Sequence, residues 1–255
     1  MKIATFNINS INARLDIFLP WLRQSSADIV LLQEIKTQVD SFPFFEINAA
    51  GYNVEVLGQK AYNGVAVLSK EKINVRTKVL PDFLYDEARY LEVETNGMIV
   101  SSVYMPNGNP LGSEKYKKKL KFMDCFYEHA RQLKMQSDKI IFGGDFNVVL
   151  TNFDVYNPSV YKNDAIFQDE VKRKLKALEY LGYFDAYRTL YQNETGYTYW
   201  DYGSSAFVND FGLRLDYILC SALMLEKLVG CTVDKNLRKA QKPSDHTPVI
   251  AEFEV

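Results

Sequence analysis

A carboxylate and an amide stand two residues apart in Gly143-Gly144-Asp145-Phe146-Asn147, directly after the apolar run Ile140-Ile141-Phe142. Alternate side chains of an extended chain share a face, so Asp145 and Asn147 can point the same way. The glycines admit the backbone angles and close approaches that a site needs where a buried strand turns. Such a place suits hydrolytic chemistry. Gly and Asp are also ordinary turn formers, so the pentapeptide gains weight only in company.

That company exists. The strand-like run 2–6 ends at Asn7, and 29–33 ends at Glu34. The run 99–103 leads into Tyr104-Met105-Pro106-Asn107, Arg214-Leu215 reaches Asp216 before Tyr217-Ile218-Leu219, and Ser244-Asp245-His246 precedes the segment 247–253. Each is a polar cluster at a strand end, where open α/β sheets gather their functional groups. The elements follow from periodicity: helical patterns over 13–24, 113–136 and 165–181, with Gly182 as a stop signal. Strand patterns fit 2–7, 28–34, 52–57, 64–69, 73–79, 89–95, 98–104, 138–142, 216–220, 229–234 and 248–254. Between 52 and 104 there is no room for crossover helices, so those strands should pair largely antiparallel. Many strands and few helices predict two mixed sheets packed face to face with helices outside.

At 255 residues and 47% hydrophobic, the chain can bury a sizeable core. No Pro/Gly/Ser-rich linker or internal repeat divides it, so residues 1–255 read as a single domain. Apolar runs fall short of a membrane span, and Met1-Lys2-Ile3 enters a strand without a signal-peptide core. A cytoplasmic, intracellular protein without a membrane partner is expected. Cys125, Cys220 and Cys231 are too scattered for a zinc knot or disulfide framework and read as core thiols. A net charge of −2 does not advertise a nucleic-acid binder. It does not exclude one, because a divalent ion in a carboxylate-rich site restores positive charge where a phosphate sits. The basic run Lys115 to Lys121 opens a helical pattern and reads as a solvated face, so Lys117 and Lys119 should matter little. His129, in the same helix, reads as a surface residue.

Six motifs occur in this order: Thr5-Phe6-Asn7-Ile8-Asn9-Ser10, Leu32-Gln33-Glu34, Tyr104-Met105-Pro106-Asn107-Gly108, Gly143-Gly144-Asp145-Phe146-Asn147, Gly212-Leu213-Arg214-Leu215-Asp216-Tyr217 and Ser244-Asp245-His246-Thr247-Pro248. The ordered set resembles the exonuclease III branch of the abasic-site (AP) endonucleases, in the endonuclease/exonuclease/phosphatase superfamily, and the likeness runs from residue 2 to 253. The resemblance implies a four-layered α/β sandwich. It implies hydrolysis of DNA phosphodiesters 5′ to abasic sites with some 3′-5′ exonuclease or 3′-end trimming, by a monomer acting on double-stranded DNA with abasic sites or 3′ ends. The implied cofactor is Mg²⁺ or Mn²⁺, one ion or two.

Carried onto this chain, the resemblance makes Glu34 the first metal ligand. Asn7 supplies an amide oxygen or orients Glu34, and Asp245 binds or orients a coordinated water. Hard oxygen donors of this kind suit Mg²⁺. Asp145 is the matched general base and His246, paired with Asp216, a cationic donor to a phosphate oxygen; the alternative has His246 as the base. Asn147, Asn107 and Tyr104 would hold phosphate and leaving group. An apolar pocket for the extrahelical sugar would use Tyr199, Leu213 and Leu215, excluding intact nucleotides by size. The chain departs from the pattern at Phe6, where many relatives carry Trp, at Leu213, where some carry an aromatic, and at Asn12, where many carry Arg. Other phosphoesterases of the superfamily, acting on RNA or on inositol or lipid phosphates, share these elements, and a non-catalytic nucleic-acid-binding scaffold is a further alternative.

Overall fold

The computed structural model describes residues 1–203 and 205–254. Its strands are β1 (Lys2–Asn7), β2 (Ile29–Gln33), β3 (Asn53–Leu57), β4 (Val65–Ser69), β5 (Asn74–Thr77), β6 (Tyr90–Thr95), β7 (Met98–Tyr104), β8 (Ile140–Asp145), β9 (Tyr183–Asp185), β10 (Asp216–Ser221), β11 (Leu228–Val233) and β12 (Val249–Phe253). Its helices are α1 (Ile11–Ser25), α2 (Phe44–Ala49), α3 (Glu114–Leu133), α4 (Pro158–Tyr161), α5 (Asp169–Tyr180), α6 (Ala186–Leu190) and α7 (Ala222–Leu225). Two six-stranded sheets form, in the orders β11-β12-β1-β2-β4-β3 and β5-β6-β7-β8-β10-β9. Each contains one parallel pair, β1 with β2 and β7 with β8, and is otherwise antiparallel.

The central strands are apolar on both sides because both faces are covered. Ile3, Leu31, Val65 and Val67 of the first sheet meet Val93, Val100, Ile141 and Ile218 of the second. The outer face of the first sheet takes Phe18, Trp21 and Leu22 of α1. That of the second takes Phe122, Phe126 and Leu133 of α3 with Val171, Leu175 and Leu178 of α5. The layers are therefore helix, sheet, sheet, helix. Among the described residues no helix is long and apolar enough to cross a membrane. The strands between 52 and 104 do pair antiparallel, but β3 and β4 lie in one sheet and β5 to β7 in the other. All three cysteines are buried and free.

Two expectations about α3 fail for one reason. Lys119 is fully buried, and His129 is 9% exposed, its Nε2 lying 2.7 Å from Glu92 Oε2. Both belong to the helix's inward stripe. Lys119 lies three and four residues before Phe122 and Met123, and His129 lies three after Phe126 and four before Leu133. Lys115, Lys117 and Lys121 are exposed, as a solvated face requires. Lys118 turns to Glu87. The three-residue β9, too short for a periodic signal, had no counterpart in the sequence reading.

The topology places one edge of the sandwich apart. Strands β1, β2, β7 and β8 end there, while β10 and β12 run antiparallel to their neighbours and begin there. Asp145 faces Tyr104 across one ladder and Asp216 across the other. Gly144 makes this spacing possible. A Cβ at residue 144 would sit 1.8 Å from the Val103 carbonyl oxygen, so only hydrogen fits.

Candidate active site

Asn7, the last residue of β1, is the hub. Its Nδ2 donates to Glu34 Oε1 at 2.9 Å and to Asp145 Oδ2 at 3.0 Å, and lies 3.4 Å from His246 Nε2. Its Oδ1 accepts from the Asn9 backbone N–H. In this arrangement the amide nitrogen of Asn7, not its oxygen, faces Glu34. Glu34 follows β2 in a left-handed conformation, φ 49°, a strain that non-glycine residues accept chiefly where a site requires it. Burial raises the Glu34 pKa, yet hydrogen bonds from Asn7 and Lys36 outweigh it and hold the carboxyl below its usual range. Lys36 Nζ lies 2.8 Å from Glu34 Oε2 and donates to Asn9 Oδ1. Asn9 Nδ2 in turn donates to Asp245 Oδ1 at 2.9 Å. Lys36 and Asn9 were not among the expected residues. Both lie beyond their strands with left-handed backbones, φ 52° and 48°, so strand alternation gave no signal for them.

Asp145 ends β8 and is buried. Its Oδ1 accepts from the Asn147 backbone N–H at 2.9 Å, and Asn147 itself is left-handed, φ 50°. Burial, with Asp216 and Glu34 adding to it, pushes the Asp145 pKa well above the usual carboxylate range in spite of His246 and Asn7. His246 Nε2 stands 3.8 Å from Asp145 Oδ2, and its Nδ1 2.8 Å from Asp216 Oδ2. Burial would discharge the imidazolium, but Asp216 and Asp145 outweigh it and raise the pKa to about 10. The two carboxylates therefore favour the cationic ring. Both ring nitrogens then carry protons, and with Nδ1 donating to Asp216, the Nε2 proton is available to a substrate.

Tyr104 is half-buried at the end of β7, its pKa well above 10 through burial and the nearby Glu34 and Asp145 carboxylates. Its hydroxyl is thus a donor. Asn107 is exposed, and its Nδ2 donates to Asn147 Oδ1 at 3.2 Å, while Asn147 Nδ2 donates to the Met105 carbonyl. Ser244 Oγ ties the chain before His246 to β1 through the Asn7 carbonyl. Thr198 Oγ1 accepts from the backbone N–H of both Leu215 and Asp216, fixing where β10 begins.

The residues expected to form a pocket divide. Tyr199 pairs through its backbone with Leu213 and bridges to His246, and its half-buried ring lies 5.0 Å from the imidazole. Leu213 and Leu215 are 2% and 4% exposed and pack behind it with Val149, Val155 and Ile166. Only Tyr199 of the three presents surface. Phe6 packs on Phe18 and Trp21 beneath α1, and Asn12 is tied to Thr37 and Ser41.

A divalent cation fits this donor set. The oxygens are hard, no thiol is near, and among the described residues no three His, Cys, Asp or Glu side chains close around one point. That matches an ion held by one or two carboxylates, waters and a substrate phosphate rather than by a protein cage. Crowding by Asp216 and Glu34 adds to burial in raising the Asp145 pKa. A cation relieves such crowding.

Comparison with known proteins agrees with this geometry. Residues 4–246 match the Endonuclease/Exonuclease/phosphatase family. Exodeoxyribonuclease III of Haemophilus influenzae is 30% identical over 268 residues, spanning 99% of this chain and 100% of that protein. An AP endonuclease structure from Archaeoglobus fulgidus superposes with a TM-score of 0.95 at 36% identity, covering all of both chains. A 3′ phosphatase from Neisseria, bound to a product DNA hairpin, gives 0.95 at 33% identity, also over both chains entire. With the ordered motifs gathered at one edge of this sandwich, the chain belongs to the endonuclease/exonuclease/phosphatase family.

Proposed function

We propose that this chain is a DNA-repair nuclease that hydrolyses the phosphodiester 5′ to an abasic site and also trims 3′ ends, with Mg²⁺ as the metal. The observation that supports this most is the convergence of Asn7, Glu34, Asp145, Asp216 and His246 from five separate segments onto one cluster of hydrogen bonds and close charge contacts. Relatives called exodeoxyribonuclease III and AP endonuclease are 30% and 36% identical to this chain over their full length, which supports the same reading.

Asp145 takes the proton from the attacking water. Its raised pKa makes it a better base than an ordinary carboxylate, and the Asn147 backbone N–H fixes its orientation. His246, already protonated, cannot accept that proton, which favours Asp145 as the base. The imidazolium instead donates from Nε2 to a non-bridging phosphate oxygen. Water adds to phosphorus as Asp145 takes its proton, the bond to the 3′ oxygen breaks, and the leaving oxygen takes a proton from solvent water, giving a 3′ hydroxyl and a 5′ phosphate. Asn147, Asn107 and Tyr104 offer neutral donors to phosphate and leaving oxygen. Glu34 and Asp245 would hold Mg²⁺, which would supply charge stabilisation to the phosphoryl group and the leaving oxygen. Tyr199, backed by Leu213 and Leu215, gives the baseless sugar an apolar wall.

The test is incubation of purified protein with an abasic duplex, with and without Mg²⁺. Cleavage 5′ to the lesion should require metal, vanish in EDTA and return when Mg²⁺ is restored. Full cleavage after exhaustive metal stripping would overturn the metal role. Binding without cleavage would favour a scaffold, and hydrolysis confined to RNA or to inositol or lipid phosphates would assign a different substrate.

A further inference from the structure

Asn107 and Asn147 lie on different loops, after β7 and after β8, and one side chain from outside the site ties both. Lys119 of α3 reaches through the outer layer and donates from Nζ to the carbonyl oxygens of Pro106 at 3.2 Å, Asn107 at 3.0 Å and Asn147 at 2.6 Å. The residue is fully buried. A buried ammonium is costly unless every donor is used, and here three acceptors match its three N–H groups. A neutral amine has only two. Burial draws the Lys119 pKa down, to about 7, while Asp145 and Asp164 oppose that. The three carbonyls favour the charged form further. Gly108 completes the fit: a Cβ there would lie 2.7 Å from Lys119 Cδ.

We propose that Lys119 is a positioning residue of the nuclease site, acting through Asn107 and Asn147 by pinning their backbone carbonyls so that the two loops hold one fixed geometry. The inference rests on the hydrolytic reading of the site but concerns a residue that touches neither substrate nor metal ligands. Left-handed Asn147 is the element that needs such support. Its side chain bonds Asn107 and the Met105 carbonyl while its N–H bonds Asp145. Releasing the Lys119 bond loosens all of these together.

The experiment compares Lys119→Met with the wild type on an abasic duplex at saturating Mg²⁺, alone and in an Asn147→Ala background, and follows the Asn107 and Asn147 side-chain amide resonances by NMR. Misplacing a reacting group by about 1 Å costs on the order of 100-fold. Lys119→Met should therefore lower kcat about 10- to 100-fold with KM within about twofold. In the Asn147→Ala background the loss should shrink to below about threefold, as expected of residues acting as a unit. Both amide resonances should move or broaden. Unchanged kcat in the folded variant, or an equal loss in both backgrounds, would overturn the proposal. Should Lys119→Met not fold, Lys119→Gln, which keeps an amide donor without the charge, goes through the same cycle under the same criteria. If the wild type fails to cleave the duplex, the substrate assignment falls, and the amide resonances still decide whether Lys119 holds the two loops.

Discussion

Asp145 and His246 sit 3.8 Å apart, and the proposed reading gives them opposite tasks. The charge of each is set by neighbours, not by its own chemistry. Replacing Glu34 with Gln should raise the Mg²⁺ concentration needed for half-maximal rate, whereas Asp145→Asn should lower the rate by about 100-fold or more even at saturating metal. Equal rescue of both by extra metal would show that the roles are not divided in this way. The imidazolium has a consequence for stability. Its folded pKa, about 10, lies above the ordinary histidine value of 6.5. Its contribution is therefore fully present below about pH 6.5 and is lost as pH rises through about 10. In EDTA, the difference in melting temperature between wild type and His246→Ala should shrink steadily across that window. A difference that stays constant or grows would mean that the ring is neutral in the folded protein.

Strand ends set these distances, and their spacing depends on Gly144. Gly144→Ala should destabilise by about 3 kcal/mol or more, because the new methyl meets the backbone of β7, which has no rotamer to yield. Denaturant melts would show it, and in any folded fraction the rate should fall as Tyr104 and Asp145 part. Leu213→Ala, removing a side chain buried among Val149, Val155 and Ile166, should cost about 2–5 kcal/mol. A marginal loss would mean that Leu213 is less packed than its burial indicates. Much at this scale was legible in sequence. The long helices and most strands declared themselves by period, and the polar residues by their place after each apolar run. What stayed hidden depended on tertiary partners. Lys119 and His129 carry polar names on an apolar stripe, and only the carbonyls of the 106–107 turn, Asn147 and the Glu92 carboxylate make those positions intelligible. Leu213 and Leu215 carried an apolar signal that could not distinguish a wall from a core.

For the whole molecule, the net charge of −2 leaves DNA affinity to local cations. Phosphate contacts by Lys and Arg release counterions, so affinity for an abasic duplex should still fall with salt. Even a few such contacts predict a loss of roughly tenfold to a hundredfold over a fourfold rise in salt. Fluorescence anisotropy would measure it, and a flat response would point away from a polyanionic substrate.

The pairing of β1 with β12, which lies at the other extreme of the sequence, also governs when the enzyme can first act. Asn7 and Glu34 come early in the chain, but Asp245 and His246 reach them only once β12 has zipped onto β1. Contacts so distant in sequence form slowly. A refolding chain that has not yet made this pairing would lack Asp245 and His246 at the site, and on the proposed reading it would not cut. If that pairing forms last, nuclease activity should return with the slowest refolding phase, after most helical signal has recovered; activity returning together with the helical signal would show that the two ends of the chain meet early.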